Sequence, residues 1–214
     1  VGILGEIQAA VLNEKADLAS VLLRLRFLAS RLGSEPLEDW VKYETEGYPK
    51  DVEVPEYRKL SVQYRGTWSG PWASGIENAP IPSYLIEKHA GESWTEFQMR
   101  ESVAAVDDLT AKTEGSIGVD ASNLILILQG KVYPDLACNS ITGELSLVAV
   151  REIKQTVRSR VLELTLELEK RLPEAADVTL DQRMPAGSSS EQTVTEIFRQ
   201  TVYGGVRTNR PGGT

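Results

Sequence analysis

The side chains best suited to chemistry crowd together between Trp40 and Tyr48. Trp40, Tyr43 and Glu44 fall within about one helical turn, and Gly47 and Tyr48-Pro49 come directly after. Two readings of this pattern stand side by side. An aromatic pocket with a carboxylate at its mouth would suit a base or another small ligand. Alternatively, the rings seal a helix against a sheet, with the tyrosine hydroxyls satisfied by backbone. Arg58, Arg65 and Arg100 come from flanking segments and would converge as an anion site if two strands pair. Trp40, Tyr43, Glu44, Tyr48, Arg58 and Arg100 are therefore the candidate ligand-binding residues.

Familiar catalytic constellations are absent from the sequence. It has no Gly-x-x-x-x-Gly-Lys-Ser/Thr loop for a nucleotide phosphate and no Gly-x-Gly-x-x-Gly turn after a strand. With His89 the only histidine and Cys138 the only cysteine, neither a His-x-x-x-His metal motif, a cysteine zinc site nor an internal disulfide can be built. A reactive thiolate at Cys138 would need a base. His89 is expected in the last turn of a short helix, where a polar or cationic side chain suits the helix dipole. The other reading of Cys138 is a small buried hydrophobe. Asp107-Asp108 and Glu44/Glu46 could meet a hard cation, but adjacent helical positions diverge by about 100°, which favours a solvated face at 107–108. No catalytic residue, metal ligand or cofactor is assigned.

Arg158 and Arg160 belong to a long helix. They either form buried ion pairs with helix carboxylates such as Glu163 or anchor an interface, a role arginine favours. Together with Phe198 and Tyr203 they are the candidate interface residues.

The elements that must position these groups are legible from periodicity. Ile3, Leu4, Ile7 and Val11 mark a first helix. Asn13 or Asp17 caps a second, whose stripe runs from Leu18 through Leu25 to Leu32. Gly33 stops it, and Ser34 and Pro36 open a third that ends at Gly47. Leu60, Val62 and Tyr64 alternate with polar residues as a half-buried strand, and Gly66, Gly70, Pro71 and Gly75 break up the next stretch. Asn78–Pro82 cannot be helical. A short helix, a second strand near Trp94–Met99 and a helix from Glu101 come next. Gly115 and Gly118 then precede another helix, capped by Asp120 or Ser122, in which Leu124–Leu128 reads as a buried segment. Val150, Ile153, Val157, Val161, Leu164, Leu168 and Leu172 define a long amphipathic helix, which Pro173 ends. Beyond it lie a linker at 185–190, a short helix or strand over Thr193–Val202 and a glycine-punctuated tail.

These readings add up to an α+β fold: an N-terminal helical hairpin, a small antiparallel sheet, a long C-terminal helix and an extended tail. The domain is expected at 1–173 and a docking or oligomerising segment at 174–214, which has too few large apolar residues for a core of its own. At 41% apolar the 214 residues suffice for a core, and a net charge of −8 argues against a duplex nucleic-acid binder. No apolar run reaches the ~20 residues that span a bilayer, and residues 1–6 carry no signal-peptide features, so no membrane partner and a cytoplasmic location are expected.

Several stretches, taken in order, resemble a known family. They are Leu32-Gly33, Leu37-Glu38-Asp39-Trp40-Val41-Lys42-Tyr43-Glu44, Gly47-Tyr48-Pro49, Pro55-Glu56-Tyr57-Arg58, Asn78–Pro82, Arg100–Ala105 and Val157–Leu164. Over residues 3–172 the chain resembles AbiTii domains, which are associated with bacterial abortive infection. The resemblance implies defence against phage but supplies no catalytic residues. The first functional expectation is a non-enzymatic sensor or regulatory module that self-associates and controls an effector partner. The competing one is a toxin enzyme acting on nucleic acid or nucleotides. A third, structural expectation is a homo-oligomer held together by its tail.

Overall fold

The computed structural model describes residues 2–13, 15–179 and 188–204. In chain order the elements are α1 (Ile3–Leu12), α2 (Leu18–Leu32), α3 (Glu35–Glu46), β1 (Lys59–Ser69), β2 (Gly75–Ile81), α4 (Ser83–Ala90), β3 (Glu96–Gln98), α5 (Val103–Lys112), β4 (Ser116–Val119), α6 (Ser122–Leu128), β5 (Ala137–Ser146), α7 (Leu147–Arg171) and α8 (Ser188–Phe198). A π-helical turn, Arg199–Tyr203, continues α8. The fold is α+β with an antiparallel sheet, and the chain divides into two compact units. A helical unit draws on residues 1–56, 100–106 and 154–214, and a sheet unit on 57–99 and 107–153. Among the described residues no helix is long and apolar enough to cross a membrane.

In the helical unit, Asp17 rather than Asn13 caps α2, its carboxylate accepting from the amides of Ala19 and Ser20. The stripe from Leu18 to Leu32 is buried, each such leucine contributing about 1.5–3 kcal/mol. Gly33 ends the helix in the left-handed region at φ 72°. Val157, Val161, Leu164 and Leu168 of α7 are fully buried, as the three-and-four spacing predicts. Val194, Ile197, Phe198 and Val202 of the α8 region are buried as well, and Ile3 N–H donates to the Val178 carbonyl. Val178, Val194, Ile197, Phe198 and Val202 thus join the core of this unit, although the segment after Pro173 has too few large apolar side chains to make a core alone. The Pro185–Gly187 part of the expected linker and the stretch Arg207–Gly213 lie outside the described residues.

In the sheet unit β1 is central. The strand order is β2-β1-β5-β4, and β3 also pairs with β1. Tyr64 stands opposite Ile81 on β2 and Gly143 on β5, and Leu60 stands opposite Phe97 on β3. Sequence periodicity predicts two strands here; β2, β4 and β5 are additional. β2 is an edge strand that tolerates Pro80, and β4 has only four residues. β5 pairs with β1 across a register shift that interrupts alternation. β1 also runs on through Gly66. There the Trp68 ring covers the strand, and a Cβ on Gly66 would lie 2.4 Å from it. That glycine seats a ring and does not end a strand. The Leu124–Leu128 run forms α6, with Leu124 and Leu128 buried but Leu126 84% exposed.

Candidate functional site

The aromatic cluster assembles inside the helical unit, starting from one glycine. α3 closes at Gly47 with φ 98°, its N–H donating to the Tyr43 carbonyl at 2.8 Å. The next amide, Tyr48 N–H, donates to the Arg100 carbonyl at 2.7 Å. This turns the Tyr48 side chain back along α3, where its hydroxyl donates to Glu44 Oε1 at 2.6 Å, both residues being buried. The ring of Tyr43 packs on that of Tyr48 with centroids 5.5 Å apart.

A second arm of aromatics comes from the end of the described chain. Trp40 is buried with its ring 5.9 Å from Phe198, and Phe198 meets Tyr203 edge-on at 5.6 Å. Tyr203 keeps about half of its surface exposed (53%); its partial burial holds the phenol above the ordinary pKa, and the nearby Glu44, Tyr43 and Glu53 push the same way. Trp40, Tyr43, Glu44 and Tyr48 on one side and Phe198 and Tyr203 on the other therefore form one neighbourhood. A groove of about 590 Å³ opens beside it, lined by residues including Lys42, Tyr43, Tyr48, Pro49, Arg100 and Glu101. Sequence reading does not single out Lys42, Glu53 or Glu101. Lys42 and Glu101 have as their only signal that they adjoin Tyr43 and Arg100 in the chain, and Glu53 has none.

The arginines are drawn into backbone. Arg100 Nη1 donates to the carbonyls of Pro49 and Val52, the latter at 2.8 Å. Arg58 belongs to the sheet unit and is fully buried, with Nη1 donating to the Met99 carbonyl at 2.9 Å. Arg65, also in that unit, donates from Nε to Asn78 Oδ1. Arg158 spans three carbonyls, Val11, Asn13 and Ala16, at 2.9–3.0 Å. Arg160 donates to the Thr201 carbonyl at 2.8 Å and pairs with Glu163 at 3.2 Å. Arg160 thus pairs with Glu163, but on the surface and not as the buried ion pair expected, while Arg158 binds backbone.

The remaining groups are dispersed. Asp107 and Asp108 are exposed on α5, Asp108 lying 3.9 Å from Lys112. No group of three potential metal ligands occurs among the described residues. Burial keeps the Cys138 thiol above its ordinary pKa, the direction opposite to that of a reactive thiolate. His89 is held below its ordinary value by burial, then by Lys131 and Lys88. A family model, AbiTii, matches residues 2–193 of the chain. No curated protein and no solved structure matches it.

Proposed function

Since the chain belongs to the AbiTii family, whose name denotes abortive-infection defence against phage, we propose that it serves this defence as a non-enzymatic regulatory module. It associates with itself and with an effector protein in the cytoplasm. The observation that carries this reading is how the candidate charges are used. Arg58, Arg100, Arg158 and Arg160 donate to backbone carbonyls, and Glu44 accepts from Tyr48. A guanidinium that handles phosphate must turn its donor fork to the ligand. Here the forks hold loops and helix ends together. Tyr43 and Tyr203 bring aromatic rings to the neighbourhood of the groove, and tyrosine is enriched where proteins meet.

The test is native mass spectrometry of the tagged protein, purified gently from its host with neighbouring genes intact. A homo-oligomer or a stoichiometric protein complex is expected. Turnover of RNA, DNA or a nucleotide by the purified chain would defeat the proposal. So would growth arrest on expression that an Arg58→Ala variant abolishes while remaining folded, and the toxin reading would then replace it.

A further inference from the structure

Arg65 is held differently from the arginines that serve backbone carbonyls. Its Nε donates to Asn78 Oδ1 at 3.1 Å, and among the described residues no other atom of the guanidinium has an acceptor. A fault in the β1–β2 ladder places Asn78 for this contact. The register shifts between Gly66 and Trp68, and opposite that shift Asn78 takes φ 49°, a left-handed conformation that asparagine tolerates. The Asn78 N–H donates to Thr67 Oγ1 at 3.2 Å, which holds the bulge in place. One nitrogen of the guanidinium is thereby fixed, and both Nη groups keep their donors for another acceptor.

Arg65 borders a cavity of about 370 Å³ that lies wholly within the sheet unit. Strand pairing leaves the room for it. β1 pairs with β3 over Lys59–Ser61 and with β2 from Tyr64 onward, and in the interval Val62 N–H donates to the Thr95 carbonyl at 3.0 Å. The cavity opens at this interval, and Ser83 and Glu87 of α4, one helical turn apart, complete its lining. Tyr64, also in the lining, is buried and spends its hydroxyl on the Trp94 carbonyl at 2.6 Å. Arg65 and Glu87 are the charged groups among the described residues of the lining. Glu87 has no cationic partner among the described residues, so the two charges face one cavity without neutralising each other.

We propose that this cavity binds a small molecule carrying both a carboxylate and a protonated amine. The Arg65 Nη groups take the carboxylate, a fork-to-carboxylate match, and Glu87 takes the amine, with the Ser83 hydroxyl at hand for either group. A plain anion attracted to Arg65 would be opposed by Glu87, and a plain amine by Arg65; a ligand with both charges satisfies both walls. The volume lies within the range of small-molecule sites, roughly 300–1,000 Å³. This inference is independent of the regulatory role proposed above.

The test is ¹H–¹⁵N NMR of the full chain at about pH 6.5, titrated with glycine, β-alanine and 4-aminobutyrate, with butyrate and butylamine as single-charge controls. At least one of the three amino acids is expected to move the Arg65 Nε–H and Ser83 amide signals saturably, and to bind at least tenfold more tightly than either control. Arg65→Gln and Glu87→Gln should each weaken that binding at least tenfold with an unchanged denaturant midpoint. The comparison of ligands uses unaltered protein and decides the matter if Arg65→Gln fails to fold. Absence of a saturable shift up to about 20 mM of all three amino acids overturns the proposal. So does butyrate binding as tightly as the best of them, or binding that Glu87→Gln leaves unchanged, either of which would make the cavity a simple anion site.

Discussion

The ring of Phe198 lies 5.9 Å from that of Trp40 and is tilted 50° against it, joining the α8 region to α3. Both residues are buried, so Phe198 is a core residue of the helical unit although the sequence around it reads as a tail. Phe198→Ala is expected to cost about 3–5 kcal/mol, the usual range for emptying a buried phenylalanine site. Urea unfolding followed by tryptophan fluorescence measures it. A loss below about 1 kcal/mol would mean that α8 is not part of the folded unit in solution.

Arg158 ties three carbonyls of α1 and the connection after it, Val11, Asn13 and Ala16. A lysine keeps the charge but cannot present a planar fork to three acceptors. Arg158→Lys should therefore lower stability by about 2–4 kcal/mol, since bonds to charged groups are worth about 1.5–3 kcal/mol each and water replaces them in part. Denaturant unfolding reads this directly. An interface anchor would behave differently, with an unchanged midpoint and a lighter assembly in native mass spectrometry.

How much of the fold is legible in the sequence depends on the range of the signal. Local signals carry well: Gly33 and Gly47 end helices, and the α7 stripe is buried where its period places it. β5 is not legible, because Ala137–Ser146 crosses a register shift against β1 and its burial does not alternate cleanly. The Trp40–Tyr48 cluster can be read from spacing within one helix and the glycine turn that ends it, but its meeting with Phe198 and Tyr203 cannot. That meeting is set by tertiary packing between segments far apart in the chain, and no period in the sequence encodes it. Arg58 and Arg100 look alike as free cations, and only coordinates reveal the carbonyls they serve.

Tyr203 makes alkaline stability a probe of the cluster. Its phenol, ordinarily at 10.0, is raised by partial burial first and by Glu44, Tyr43 and Glu53 after that. A raised folded-state value means that the folded protein holds the proton more tightly. Its contribution is fully present below pH 10 and is lost as pH rises through the folded value. Buried Tyr64 shifts the same way. Tyr203→Phe should therefore flatten part of the fall in stability above pH 10, and the 295 nm tyrosinate titration should lose its component from this residue. An identical pH profile in the variant would separate Tyr203 from Glu44 and Glu53.

Gly47→Ala tests the turn that orients Tyr48. A Cβ at this position meets the Arg100 carbonyl oxygen at 3.1 Å, and φ 98° is unfavourable for any L side chain. The expected cost is about 1–3 kcal/mol. The Tyr48 N–H bond to Arg100 adjoins the strained position, so hydrogen exchange at the Tyr48 amide should accelerate more than at amides of α2. Uniform acceleration would instead point to a global loss of stability.

The bond between Tyr48 and Glu44 decides between the two readings of the cluster. If the carboxylate is a structural acceptor, Tyr48→Phe withdraws one donor from a buried charge and should destabilise by about 1–3 kcal/mol. Glu44→Gln retains an acceptor for the tyrosine hydroxyl. A carboxylate held ready for a ligand obeys a different rule, because functional polar groups are kept at the expense of stability and their removal commonly raises it. In that case Glu44→Gln should unfold at higher denaturant than the unaltered protein. A Glu44→Gln variant that is destabilised, alongside a destabilised Tyr48→Phe, places the pair in the framework of the helical unit. Recognition would then fall to the groove-lining Lys42, Tyr43 and Glu101, where partner-blocking substitutions should be sought.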